Sequence, residues 1–128
     1  MSALDLTSLS SAIAQLTAGL AQADADRSDE LARDGVIQRF EYTYELSWKM
    51  LRRHLEQTAA DPAALDAMSF QKLIRTGAEQ GLLRSGLGTR KHFRRVRGVT
   101  SLLYDSEKAA EVYAVVPTFL EEVRFLCD

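Results

Sequence analysis

From Val36 to Gln57 the chain contains neither glycine nor proline, and its apolar residues recur on a helical period. This stretch restricts the fold more than any other, because a single helix from about Glu30 to Gln57 must lie against most of the remaining chain. At 100° per residue, Ile37, Phe40, Tyr44, Trp48, Leu51 and Leu55 fall within roughly an 80° stripe, a core face on which Phe40 and Trp48 are the expected anchors. Tyr42, Leu46 and Met50 stand on another side at i, i+4 and i+8. A surface helix of a monomer needs one apolar face. The second stripe therefore predicts either a central helix covered on both sides or an interface, with Tyr42, Leu46 and Met50 meeting a second copy or a partner subunit.

The other segments read as helices that pack on this one. Leu6, Leu9, Ile13, Leu16 and Leu20 make one stripe, and the helix runs out in a polar turn between Asp24 and Asp29. After a loop at Asp61-Pro62, Ser69 can cap a short helix ending at Gly81, with Phe70, Leu73 and Ile74 inward. Ser85-Gly86-Leu87-Gly88 is a breaker cluster, and Thr89 can cap a further helix whose buried side is Phe93, Val96, Thr100 and Leu103. Gly98 costs that helix about 1 kcal/mol relative to alanine, so a break is possible there. Asp105-Ser106 starts a last helix with Glu107 in its first turn and a stripe of Val112, Val116, Phe119, Val123 and Leu126. Pro117 is expected to kink it near Ala114 to Val116. With no alternating strand pattern and no internal repeat, the expected architecture is all-α, an up-and-down four-helix bundle with one additional short helix.

At 128 residues the chain is one domain, residues 1–128, and its 46% apolar and 27% charged composition is that of a globular protein. The single cysteine, Cys127, excludes an intramolecular disulfide and a cysteine-based zinc site. No apolar run suits a membrane span, and the amino terminus has no signal-peptide pattern, which together predict a cytoplasmic protein away from membranes. The glycines match neither a phosphate-binding loop nor a dinucleotide fingerprint, so no cofactor is expected. His54 and His92 lack ligand spacing, so no metal is expected either. Glu41 and Glu45 form an i, i+4 carboxylate pair, although Glu45 also stands four before Lys49 in the favourable order for a helix-surface ion pair.

Net charge is −2, but from Gln80 to Tyr104 the chain carries six basic residues and no acidic one. Arg90, Arg94, Arg97, Ser101 and Tyr104 share one flank of a helix that continues through Gly98. They would line a groove for phosphate, nucleotide or RNA. The alternative is that acids elsewhere in the chain compensate the run.

The block Arg33-Asp34-Gly35-Val36-Ile37-Gln38-Arg39-Phe40-Glu41-Tyr42-Thr43-Tyr44-Glu45-Leu46-Ser47-Trp48-Lys49 resembles the signature of the nucleotidyltransferase-substrate-binding proteins of the HEPN superfamily. A second landmark, Arg97-Gly98-Val99-Thr100-Ser101-Leu102-Leu103-Tyr104-Asp105, stands before the last helix. The resemblance implies a helical bundle, commonly a homodimer, that acts as a non-catalytic partner of a minimal nucleotidyltransferase in a two-component, toxin–antitoxin-like system. The family's second landmark usually reads Arg-Asn-x-Thr-Ser-His-x-Tyr, whose Arg and His are the ribonuclease motif of HEPN toxins. Arg97, Thr100, Ser101 and Tyr104 match it, whereas Gly98 replaces the asparagine and Leu102 the histidine. Leucine offers neither a general acid nor a general base, so no catalytic residue is assigned, and a ribonuclease toxin is the alternative reading. The resemblance also makes Tyr104 an acceptor for an adenylyl group; the other reading of Tyr104 is a half-buried aromatic at a helix end.

Overall fold

The computed structural model describes residues 6–58, 70–79, 87–100 and 104–127. They form five helices: α1 (Thr7–Ala25), α2 (Glu30–Thr58), α3 (Phe70–Glu79), α4 (Leu87–Gly98) and α5 (Ser106–Cys127). No strand occurs among the described residues. Ser69, Gly81, Ser101, Leu102 and Leu103 lie outside them, as do the side chains of Phe70 and Arg90.

Helices α2 and α5 begin where an aspartate supplies an acceptor for their unpaired N–H groups. Asp26 accepts from both the Ser28 amide (3.1 Å) and hydroxyl (2.5 Å), which folds the turn. Asp29 then caps α2 by accepting from the Ala32 amide at 3.1 Å. Asp105 does the same for α5, accepting from the amides of Glu107 (3.0 Å) and Lys108 (3.3 Å). Between helices, contacts define direction. Arg39 donates to the Gln15 carbonyl and Thr43 reaches that of Ala12, so α1 and α2 are antiparallel. Arg124 bonds Thr17 while Tyr113 bonds Asp24, so α5 also runs antiparallel to α1. Phe93 meets Phe119 and Arg95 meets Glu111, which sets α4 against α5 in the same sense. The result is an all-α up-and-down bundle, with α3 as the short additional helix.

The core is organised on Phe119, whose ring takes the edge-on contacts of Phe40 (4.9 Å, 83°) and Phe93 (5.5 Å, 88°). All three phenylalanines are fully buried, tying α2, α4 and α5 together. Around them pack Leu9, Leu16, Ile37, Val96, Val112, Val116 and Val123. Leu51, Leu55, Leu73 and Ile74 are buried as well.

Three sequence expectations need correction. Met50 is only 5% exposed and belongs to the core, and Leu46 packs against that core. Of the proposed interface trio, Tyr42 alone is exposed, because α1, α3 and α5 all pack on α2 and cover a wide arc of it. Trp48 is half-buried, so Phe40 is an anchor and Trp48 is not, whereas Tyr44, also half-buried, packs against the core beside Phe40 and Phe119 as expected. Helix α4 begins at Leu87, ahead of Thr89, and ends at Gly98. Helix α5, as expected, runs on past Pro117, whose ring is exposed.

Candidate functional site

Tyr44, Trp48 and Arg52 are spaced i, i+4, i+8, so they form one ridge along α2. Arg94 and Arg97, at i and i+3 on α4, face that ridge across a cleft, and Leu73 of α3 adds an apolar patch to its lining. The cleft has a volume of about 470 Å³ and also includes Glu45 and Gly98. Its walls are two half-buried aromatic rings and three arginines, a combination suited to a ligand with a flat apolar part and anionic groups.

Arg97 is held at all three nitrogens of its guanidinium. Its Nε donates to Glu45 at 3.0 Å, Nη2 pairs with Glu41 at 3.3 Å, and Nη1 reaches the Thr100 hydroxyl at 3.5 Å. The i, i+4 spacing of Glu41 and Glu45 places both carboxylates on the same side of α2, where one guanidinium bridges them. Glu45 thus pairs with Arg97 and not with Lys49. After Gly98 the chain turns back on the last turn of α4: Val99 bonds the Val96 carbonyl, and the buried Thr100 bonds that of Arg97 through its amide (3.3 Å) and its hydroxyl (2.9 Å). The acceptors for Arg97 come from α2 and from this turn, so the clamp locks the end of α4 onto the middle of α2.

Other basic residues are partnered in the same way. Arg95 meets Glu111 at 2.5 Å, and Arg52 meets Glu56 at 3.3 Å. The acidic remainder of the chain therefore compensates part of the basic run. His92 is exposed beside Arg95, at 3.1 Å. Among the described residues no three His, Cys, Asp or Glu side chains are placed to hold a metal ion, and no helix is long and apolar enough to cross a membrane.

The structure brings together Arg94 and Arg97 of the expected groove. Arg90 lies on α4 with its side chain outside the described set. Tyr104 does not line the cleft: α4 ends at Gly98, and Tyr104 sits in the turn before α5, 86% exposed. The half-buried aromatic reading of Tyr104 is wrong for the same reason. Sequence reasoning missed Trp48, Tyr44 and Arg52 as cleft residues. Their spacing of four was visible, but the apolar stripe assigned the first two to the core and left the arginine unexamined.

Comparison with known proteins gives three findings. A family model described as nucleotidyltransferase substrate binding protein like matches residues 4–128. A curated relative from Haemophilus influenzae, named "Probable ribonuclease HepT", is 39% identical over 94 residues; the match covers 73% of this chain and 64% of that protein, so less than two thirds of the relative's length is spanned. The solved structure of HI0074 from Haemophilus influenzae is described as revealing the fold of a substrate binding domain of a nucleotidyltransferase. It superimposes with a TM-score of 0.89 at 33% identity and covers 96% of both chains.

Proposed function

This chain belongs to the nucleotidyltransferase substrate binding protein-like family, and from that premise we propose that it is the non-catalytic, substrate-binding subunit of a minimal nucleotidyltransferase in a two-component, toxin–antitoxin-like pair. The observation that carries the reading is the state of the motif arginine. Arg97 is neutralised by Glu41 and Glu45, and the sequence places Leu102 where the family's ribonuclease motif has histidine. An arginine held by two carboxylates, with no proton-transfer group at the motif position, supports a structural and binding role over RNA cleavage.

In this reading the cleft between α2, α3 and α4 is the recognition surface, and Arg94 and Arg97, with Arg90 one turn earlier on α4, supply its positive side. Tyr104 is the acceptor. Its exposure in the turn before α5 gives a partner enzyme access to the phenol oxygen. That oxygen would attack the α-phosphorus of ATP, forming a tyrosyl phosphodiester, releasing pyrophosphate and giving up the phenolic proton. The pair works in the cytoplasm, and the bundle is a homodimer through the α2 face that carries Tyr42, with Leu46 at its edge and Met50 beneath in the core.

The test is to express the chain with the nucleotidyltransferase of a neighbouring reading frame. The two should co-purify, and with ATP mass spectrometry should find one adenylyl group that Tyr104→Phe removes. Absence of co-purification and of label with a demonstrably active enzyme refutes the pairing. Light scattering at tens of micromolar should give twice the subunit mass, and Tyr42→Glu should halve it.

A ribonuclease is the second reading, favoured by the name of the Haemophilus influenzae relative. RNA cleavage that Arg97→Ala abolishes would establish it. RNA binding without cleavage, weakening steeply with salt, would instead make the chain an RNA binder.

A further inference from the structure

A second cavity, of about 510 Å³, opens where the α1–α2 turn meets α5. It lies about 16 Å or more along the α2 axis from the arginine cleft, since Arg33 lines one and Tyr44 the other. Ala110, Ala114 and Pro117 of α5 line it with little bulk, and one wall is the ring of Tyr113. The Tyr113 hydroxyl donates to Asp24. Over the ring, 5.2 Å from its centroid, lies the guanidinium of Arg27, whose Nε also pairs with Asp24 at 3.4 Å.

The cavity thus already holds a cation, placed over an aromatic face and paired with a carboxylate. That cation is weakly held, because the Arg27 side chain is 73% exposed and its ion pair is long. Further acceptors surround it. Asp29 uses one carboxylate oxygen to cap α2, and among the described residues nothing bonds the other. In a regular helix the Tyr113 carbonyl would accept from residue 117, but Pro117 has no N–H to give. Arg33, the other cation in the lining, is turned to Asp34 at 3.1 Å. From Asp24 to Asp34 the chain carries Asp24, Asp26, Asp29, Glu30 and Asp34 against Arg27 and Arg33, so an anion is repelled and a cation attracted.

We propose that this cavity is a guanidinium-binding site, in which the Tyr113 ring and the carboxylates of Asp24 and Asp29 take the planar cation of an incoming guanidine, with Arg27 as a resident stand-in that swings out to admit it. A guanidinium fits better than an ammonium because it stacks flat on the ring while its edge donates to the carboxylates. The Tyr113 phenol, pushed up to about 12 by burial and by Asp24, stays protonated and fixes the Asp24 carboxylate from below. The proposal is independent of the nucleotidyltransferase pairing and stands on a different part of the bundle.

Nuclear magnetic resonance titration tests it with two probes, methylguanidine and a blocked Gly-Arg-Gly peptide. Both should shift the Tyr113 ring signals, and a blocked Gly-Lys-Gly peptide should do so more weakly. Removing the stand-in should strengthen binding: Arg27→Ala is expected to tighten the arginine peptide roughly 2- to 5-fold, the worth of an exposed cation–π contact. Asp24→Asn should abolish the shifts, and Tyr113→Leu should abolish those of the Ala110 and Ala114 methyl signals, which also line the cavity, while the far-ultraviolet circular dichroism stays helical. A peptide that binds tenfold better than methylguanidine identifies an arginine of a polypeptide as the ligand, whereas equal affinities identify a free guanidine. Unchanged or weaker binding in Arg27→Ala, which is too exposed to disturb folding, overturns the proposal. So does equal binding of the lysine peptide.

Discussion

Replacing both Glu41 and Glu45 by glutamine should move stability and anion affinity in opposite directions. The two carboxylates are 41% and 44% exposed and the Arg97 side chain 30%, so each ion pair is partly solvated. Coulomb attraction at these separations is several kcal/mol at an effective dielectric near 20, but measured half-exposed pairs retain about 1 kcal/mol or less. Taking about 1 kcal/mol for each carboxylate, the double variant loses roughly 1 to 2 kcal/mol and melts about 3 to 6 °C lower. The same energy no longer has to be surrendered when an anion takes Arg97. Affinity for pyrophosphate should therefore rise about 5- to 30-fold, and its salt dependence should steepen as a further cation engages. Calorimetry in low and moderate salt, beside thermal melting, reads both effects. A lower melting temperature with unchanged pyrophosphate affinity would refute the reasoning, because Arg97 would then be a structural clamp that no anion reaches.

Phe119→Ala should destabilise by about 3 to 5 kcal/mol in urea unfolding, since it empties the centre of the core and removes two edge-on ring contacts. Trp48→Ala should cost at least 1 kcal/mol less than Phe40→Ala while weakening any ligand of the cleft, because Trp48 is half-buried and lines it; equal losses would return Trp48 to the core. Burial, with the Asp24 carboxylate beside it, pushes the Tyr113 phenol up to about 12 from its ordinary value near 10, so the unfolded chain releases its proton first. Stability should consequently be intact below pH 10 and fall as pH rises from 10 to 12, and Tyr113→Phe should remove that component of an alkaline unfolding curve.

The fold was legible because burial in a helical bundle obeys one period. Leu9, Leu16, Ile37, Phe40, Val112 and Phe119 occupy the inward stripes that spacing assigns to them, and Asp29 and Asp105 open α2 and α5 as side-chain acceptors. Periodicity does not say how wide an arc of α2 its neighbours cover. Spacing alone therefore leaves Met50 either covered or at an interface, and in the bundle it belongs to the core. Nor does it weigh a long aromatic against a shorter one: Trp48 shares the stripe of Phe40, but lies two turns further along, where the wall of α2 borders the cleft.

Charge was harder to read than packing, because a helix displays its cations in sequence while their partners come from elsewhere. Six basic residues without an acid resemble an anion groove only so long as Glu41, Glu45 and Glu111 are not seen to face them. Once they are, the argument for an anion site shifts from the number of arginines to which of them a ligand can win from its carboxylates. Gly98 makes the second decisive difference. Had α4 continued, Tyr104 would stand beside Arg97; because it ends there, the tyrosine is presented on a turn and the arginine is held against α2. In the proposed function the acceptor phenol and the recognition cleft are then separate features of one bundle, and variants of Arg97 and of Tyr104 should affect binding and labelling independently.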